Sequence, residues 1–219
     1  MHLTKKVYEL YAYALNYPDE KVREKITELH ICLDKNYPDA SGMMNEFFEF
    51  AKETSIWKWE EIYTRTFDVQ AISTLDAGYV LFGDDYKRGE LLANLNREHI
   101  KYENNFSTEL ADHLPNLLLL LSKHDDDDFK NDLVGLIIKP ALKKIIDEFE
   151  TVNIEKKNKV YQKHHKTIIQ QEKKYGTVYQ SILKSLLMIL DINYKDDNKN
   201  FLNEKSFNSE FAKEMELPE

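Results

Sequence analysis

The residues best equipped for chemistry lie at 109–115, Glu109-Leu110-Ala111-Asp112-His113-Leu114-Pro115, and after Asn116 they run into five leucines at 117–121. An Asp-His pair at the mouth of an apolar helix sets charge and a titratable ring beside a greasy surface. A carboxylate there can accept backbone amides at the helix start, or it can pair bidentately with an arginine from a partner. His113 adds a pH-dependent element: protonation would strengthen its pairing with Asp112 and remove any acceptor role. If the pair binds, replacing both residues by alanine should weaken binding and spare the fold.

Other candidate chemistry is weaker. The chain has no Gly-rich phosphate loop, no nucleophile elbow and no metalloprotease histidine spacing, so several common enzyme classes drop from the lead. His164 and His165 are adjacent and would point to different faces of a helix, poor geometry for one metal. The run Asp125, Asp126, Asp127 and Asp128 suits the N-terminus of a helix over 129–138. An alternative is a magnesium-dependent helical enzyme using Asp125 to Asp132, with Asp128 and Asp132 on one face, but no partner motif of the right spacing follows near 200–214. The expectation is a protein that is not an enzyme and binds no metal or cofactor.

The elements that must position these residues read as helices. Thr4 caps a first helix with face Val7, Leu10, Tyr11, Ala14 and Leu15, ending near Asn16; Asp19 caps a second with Val22, Ile26, Leu29 and Leu33. Cys32 falls at helical spacing with Val22, Ile26 and Leu29 and reads as a small core residue. Tyr37-Pro38-Asp39 stops the second helix. Ser41 opens a third carrying Met43, Met44, Phe47, Phe48 and Phe50, and Ser55 caps a fourth with Trp57, Ile62 and Tyr63; Phe47, Phe48 and Trp57 read as core. Leu75, Tyr79 and Phe82 mark a short helix stopped by Gly83. Asp84 or Asp85 caps the next, with inward Leu92, Leu95, His99 and Tyr102, ending at Asn104-Asn105. Pro140 begins or kinks a helix containing Leu142, Ile145, Ile146 and Phe149. Tyr175, Tyr179, Ile182, Leu186 and Leu190 form the last.

Composition agrees with this pattern. Of 219 residues, 42% are hydrophobic and 12% aromatic, while Gly and Pro number only six and five, which suits an all-α single-domain bundle of about eight to ten helices. That domain should span 1–192, with a polar tail at 193–219. A net charge of −9 repels nucleic acid and favours cationic partners. Between 153 and 174, seven lysines and two glutamates make a local +5, so the remainder of the −9 chain carries −14. That strip reads either as a solvated helical face or as a dock for an acidic partner. No apolar run approaches the roughly 20 residues of an integral membrane span, and the N-terminus lacks a signal-peptide pattern, so a cytoplasmic location is expected.

Three blocks resemble the NarJ/TorD/DmsD group of cytoplasmic chaperones that mature molybdenum-containing reductases. Tyr63-Thr64-Arg65-Thr66-Phe67-Asp68 is similar to the group's Tyr-x-x-Thr-Phe-Asp. Gly83-Asp84 with Arg88-Gly89 and Leu91-Leu92 is similar to its Gly-Asp, Arg-Gly, Leu-Leu segment, and residues 109–115 to its Glu-Leu-Pro-Asp-x-Leu-Pro. Tyr179 with Ile182-Leu183 and Leu186 is similar to a stretch of its last helix. His113 resembles the TorD and DmsD branch, whereas Ala111 replaces a frequent proline and Leu119 an acidic residue of the NarJ branch, leaving the branch open.

The resemblance implies a TorD-like helical fold and a chaperone that holds the leader or N-terminus of a molybdopterin-dependent reductase catalytic subunit during molybdenum cofactor insertion. It implies peptide-binding roles for Asp112 and His113, with Glu109 in support. Asp68 and Asp84 add carboxylates for the leader's arginines, and Leu114, Leu117, Tyr63 and Phe67 add apolar contact. A helical interaction module without a redox client is the alternative; the identity of the client and the oligomeric state stay open.

Overall fold

A computed structural model of the chain describes residues 2–104, 109–150 and 177–194. Its helices are α1 (His2–Ala14), α2 (Glu20–Asn36), α3 (Pro38–Glu53), α4 (Ile56–Phe67), α5 (Ala77–Phe82), α6 (Tyr86–Lys101) and α7 (Leu114–Lys123). A rod follows, made of α8 (Asp127–Asp132), a π-helical turn (Leu133–Ile138) and α9 (Lys139–Glu148), and then α10 (Val178–Asn193). With the rod taken as one, nine helices and no strand lie among the described residues, an all-α bundle within the expected range. No helix among them is long and apolar enough to cross a membrane.

Helix faces follow the hydrophobic spacing. The α1 residues Val7, Leu10, Tyr11, Ala14 and Leu15 are all buried, as are Val22, Ile26, Leu29 and Leu33 of α2. α1 packs between α2 and α7, and α3 between α2 and α10. Asp19 caps α2 by accepting the Val22 amide at 2.7 Å, and Ser55 caps α4 at Lys58. Gly83 stops α5 with φ +64°, a left-handed conformation that favours glycine. Asp85, not Asp84, caps α6, accepting from Lys87.

An aromatic cluster joins the layers. Phe47 and Phe50 of α3 flank Trp59 of α4, whose indole N–H donates to the Tyr179 hydroxyl at 2.8 Å. Tyr179 also meets Tyr63 and Phe67 edge-on, at 5.9 and 4.9 Å between ring centres. Among the polar core groups, Ser185 donates to the Ala40 carbonyl and accepts from the Tyr11 hydroxyl, each at 2.6 Å.

Several expectations shift. α1 begins before Thr4 and ends at Ala14. α3 begins at Pro38, not at Ser41, because proline's fixed φ and missing amide suit a first turn. Trp57 is 73% exposed and Trp59 fully buried: the buried face of α4 runs Trp59, Ile62, Tyr63, Thr66 and Phe67, and Trp57 lies two residues, about 200°, from it. Phe48 is half-buried and stacks on His30 at 3.9 Å. Cys32 is half-exposed, since Leu33 takes the core position beside it. In α6, Leu91 joins Leu95 and His99 inside while Leu92 is half-buried; Tyr102, just past its end, is half-buried, and Tyr79 of α5 is exposed. The lysine-rich strip at 153–174, His164, His165, Tyr175 and the tail beyond Tyr194 lie outside the described residues.

Pro140 sits in the first turn of α9 without breaking the rod. Lacking an amide, it cannot satisfy the Leu136 carbonyl, and its ring would crowd that oxygen in regular α-helix. The preceding turn is instead widened to π geometry, with the Lys139 amide bonded to the Val134 carbonyl five residues back.

Candidate functional site

Two irregular segments pair with each other, one before α5 and one before α7. The chain leaves α4 through a turn in which the amides of Asp68 and Val69 both bond the Thr64 carbonyl and Gln70 takes φ +51°. It reaches Asp76 just before α5. From the other side, residues 109–113 lead into α7. An isolated antiparallel bridge pairs Asp76 with His113, made by the Ala77 amide on the Asp112 carbonyl at 2.9 Å and the Leu114 amide on the Leu75 carbonyl at 2.8 Å.

Arg88 of α6 ties the two together. Its Nε donates to Asp112 Oδ2 at 2.9 Å and its Nη2 to Asp76 Oδ2 at 3.2 Å, with the Tyr79 ring 5.2 Å from the guanidinium carbon. The Asp112 side chain is 0% exposed, so this carboxylate anchors the segment from inside and is not presented to a ligand. Gly78 makes room for it: a Cβ there would lie 2.5 Å from Asp112 Oδ2. Gly78→Ala is therefore expected to displace the carboxylate and cost about 1–3 kcal/mol in urea unfolding.

His113 occupies the N-cap position of α7 without capping it. Its Nδ1–H donates to Asp76 Oδ1 at 2.9 Å, so its carboxylate partner is Asp76, not Asp112 as its place in the sequence suggested. Burial pushes the Asp76 carboxyl up, but the His113 hydrogen bond and charge, with Arg88, outweigh it and hold its pKa below the usual value. Asp68 has no such compensation: burial and the neighbouring charges of Glu109 and Asp76 raise its pKa, only partly offset by His113. An incoming cation would relieve that repulsion.

The predicted residues thus separate into three groups. Asp68, Glu109 and His113 gather with Asp76 in one electrostatic cluster. Asp112, Leu114, Leu117, Tyr63 and Phe67 are buried, Asp112 tied to the cluster through Arg88 and Leu114 through the bridge. Asp84 is exposed, and among the described residues no hydrogen bond or ion pair joins it to the cluster. Exposed apolar and aromatic side chains adjoin these residues: Tyr17 is edge-on to Tyr63 at 5.4 Å, Tyr79 lies over Arg88, and Val69 and Leu110 are the chain neighbours of Asp68 and Glu109.

No protein-family model matches the chain, and no curated protein matches it. The acidic run after α7 is used locally: Asp126 caps α8, accepting from the amides of Asp128 and Phe129. Among the described residues no group of three or more His, Cys, Asp or Glu side chains is placed to hold a metal ion. Asp76, Gly78, Tyr17 and Tyr79 were missed by sequence reasoning. Only Asp76 had a local signal, a lone carboxylate ahead of a short apolar helix.

His99 is buried behind the segment, donating from Nε2 to the Ala111 carbonyl at 3.0 Å. Burial lowers its pKa below the usual 6.5, more than the Ala111 bond raises it. The unfolded chain therefore takes up this proton first, so the stabilisation present above pH 6.5 is lost as pH falls through the depressed folded value. Thermal unfolding between about pH 7 and 5 should show the midpoint falling, with a shallower slope in His99→Gln.

Proposed function

We propose that this chain is a maturation chaperone for a molybdopterin-dependent reductase. It binds the leader or N-terminus of the catalytic subunit while the molybdenum cofactor is inserted, before export or membrane docking. The observation that carries this reading is convergence: Asp68 of the first motif block, Arg88 of the second and residues 109–113 of the third meet at one acidic cluster, though the blocks are separated along the chain. A twin-arginine leader combines cations with an apolar stretch. Asp68, Asp76 and Glu109 complement the first, and Tyr17, Val69, Tyr79 and Leu110 the second.

In this reading His113 orients the cluster from within, Arg88 and Asp112 hold its frame, and Asp68 with Glu109 meet the leader's guanidinium groups. Reaction chemistry belongs to the client. The cytoplasm is the compartment in which such a client acquires its cofactor, which agrees with the chain's expected location.

Calorimetric titration with a synthetic twin-arginine leader tests the proposal. Micromolar affinity, about 8 kcal/mol, is expected for the wild type, weakened at least about tenfold by Asp68→Asn with Glu109→Gln. Absence of binding by the wild-type chain, together with failure to capture a molybdopterin reductase subunit, would sink the reading in favour of a helical interaction module without a redox client.

A further inference from the structure

We infer that His99 is a positioning residue for the peptide-binding segment 109–113, acting from behind through a buried relay with Asn104 and Asn116; this rests on the function proposed above. The Ala111 carbonyl can only accept, so His99 Nε2 carries the hydrogen. The opposite ring nitrogen, Nδ1, lies 2.9 Å from Asn104 Nδ2, a group that can only donate, so Nδ1 carries the lone pair. The ring is thereby held neutral in one tautomer. Asn104 Nδ2 also donates to the Asn116 carbonyl at 3.2 Å, and Asn116 Nδ2 donates to the Leu110 carbonyl at 2.8 Å. All three side chains are buried.

Two consecutive carbonyls of the segment, Leu110 and Ala111, are therefore gripped from the bundle side. On the other side the Asp112 carbonyl takes the Ala77 amide and its carboxylate takes Arg88. The residues that flank the gripped stretch are Glu109 and His113, the two that face the acidic cluster. A three-residue stretch held at each member leaves its neighbours little freedom, which lowers the ordering cost when a peptide docks. Two buried donors of the relay, His99 Nε2 and Asn116 Nδ2, are directed at main-chain carbonyls of the binding segment itself, so the relay does more than satisfy the core.

Hydrogen exchange in the free protein tests the grip without any peptide. In His99→Leu, exchange at the amides of Ala77 and Leu114, which close the bridge to the segment, should accelerate about tenfold or more beyond that in Leu29→Ala, a core variant on α2 remote from the site. His99→Gln, which keeps a donor for the Ala111 carbonyl, should restore slow exchange. Equal exchange in His99→Leu and Leu29→Ala would overturn the positioning role. If His99→Leu does not fold, Asn116→Ala, which removes the bond to the Leu110 carbonyl, takes its place in the same comparison. With the leader peptide added, affinity should fall about tenfold in His99→Leu and stay within about twofold in His99→Gln. A wild-type chain that binds no leader counts against the proposed function alone, and the exchange comparison still decides the role of His99.

Discussion

Arg88→Met is expected to destabilise the chain by about 3–5 kcal/mol, the cost of leaving a buried charge without its partner. Asp112 is fully buried and Arg88 is its charge partner, with the same guanidinium holding Asp76. Removing the cation leaves the buried Asp112 carboxylate without its charge partner and leaves Asp76 with His113 alone. The double variant Arg88→Met with Asp112→Leu should recover most of the loss, because the charge that needed compensation is gone and the apolar pair can pack. Urea unfolding of the two variants checks this; a loss below about 1 kcal/mol in the single variant would mean that Asp112 is not held as a buried anion. The same geometry changes how Asp112 and His113 should be tested. Replacing both by alanine is expected to cost stability as well as binding, because Asp112 is buried on Arg88; His113→Gln alone, or the Asp68 and Glu109 variants, separates binding from stability.

The second large effect concerns the tryptophans. Trp59→Ala should cost about 3–5 kcal/mol, since the side chain fills the junction of Phe47 and Phe50 and satisfies the buried Tyr179 hydroxyl. Trp57→Ala, 73% exposed two residues away, should stay within about 0.5 kcal/mol of wild type. Thermal unfolding of both variants reads the contrast directly. A large loss for Trp57 would mean that the α4 register is rotated, with a different face packed on α10.

That contrast shows where sequence reading reached and where it stopped. Five positions of α4 repeat at helical spacing from Trp59, and the spacing from Trp57 to Ile62 does not, so periodicity favours Trp59 as the core residue. The α1 and α2 faces were legible because their apolar residues recur every three or four positions with polar residues between. Cys32 was misplaced because Leu33, next to it, completes the same stripe, and one residue turns a helix by about 100°. Thr4 and Ser41 lie inside α1 and α3 because capping residues also occur within helices, and Pro38 is the stronger start signal for α3.

At the site, the sequence alone determined which residue types were available: carboxylates at Asp68, Glu109 and Asp112, a histidine at 113, and the leucines behind them. Helix periodicity and capping act over three or four residues, so they sufficed for the all-α class and for most buried faces. Pairing acts across space. That Asp112 turns inward to Arg88, that His113 takes Asp76 as its partner, and that His99 holds the Ala111 carbonyl were decided only in the tertiary structure. Residues 24 and 37 positions apart along the chain meet there because burying a carboxylate demands a cation or donor wherever the packed helices bring one.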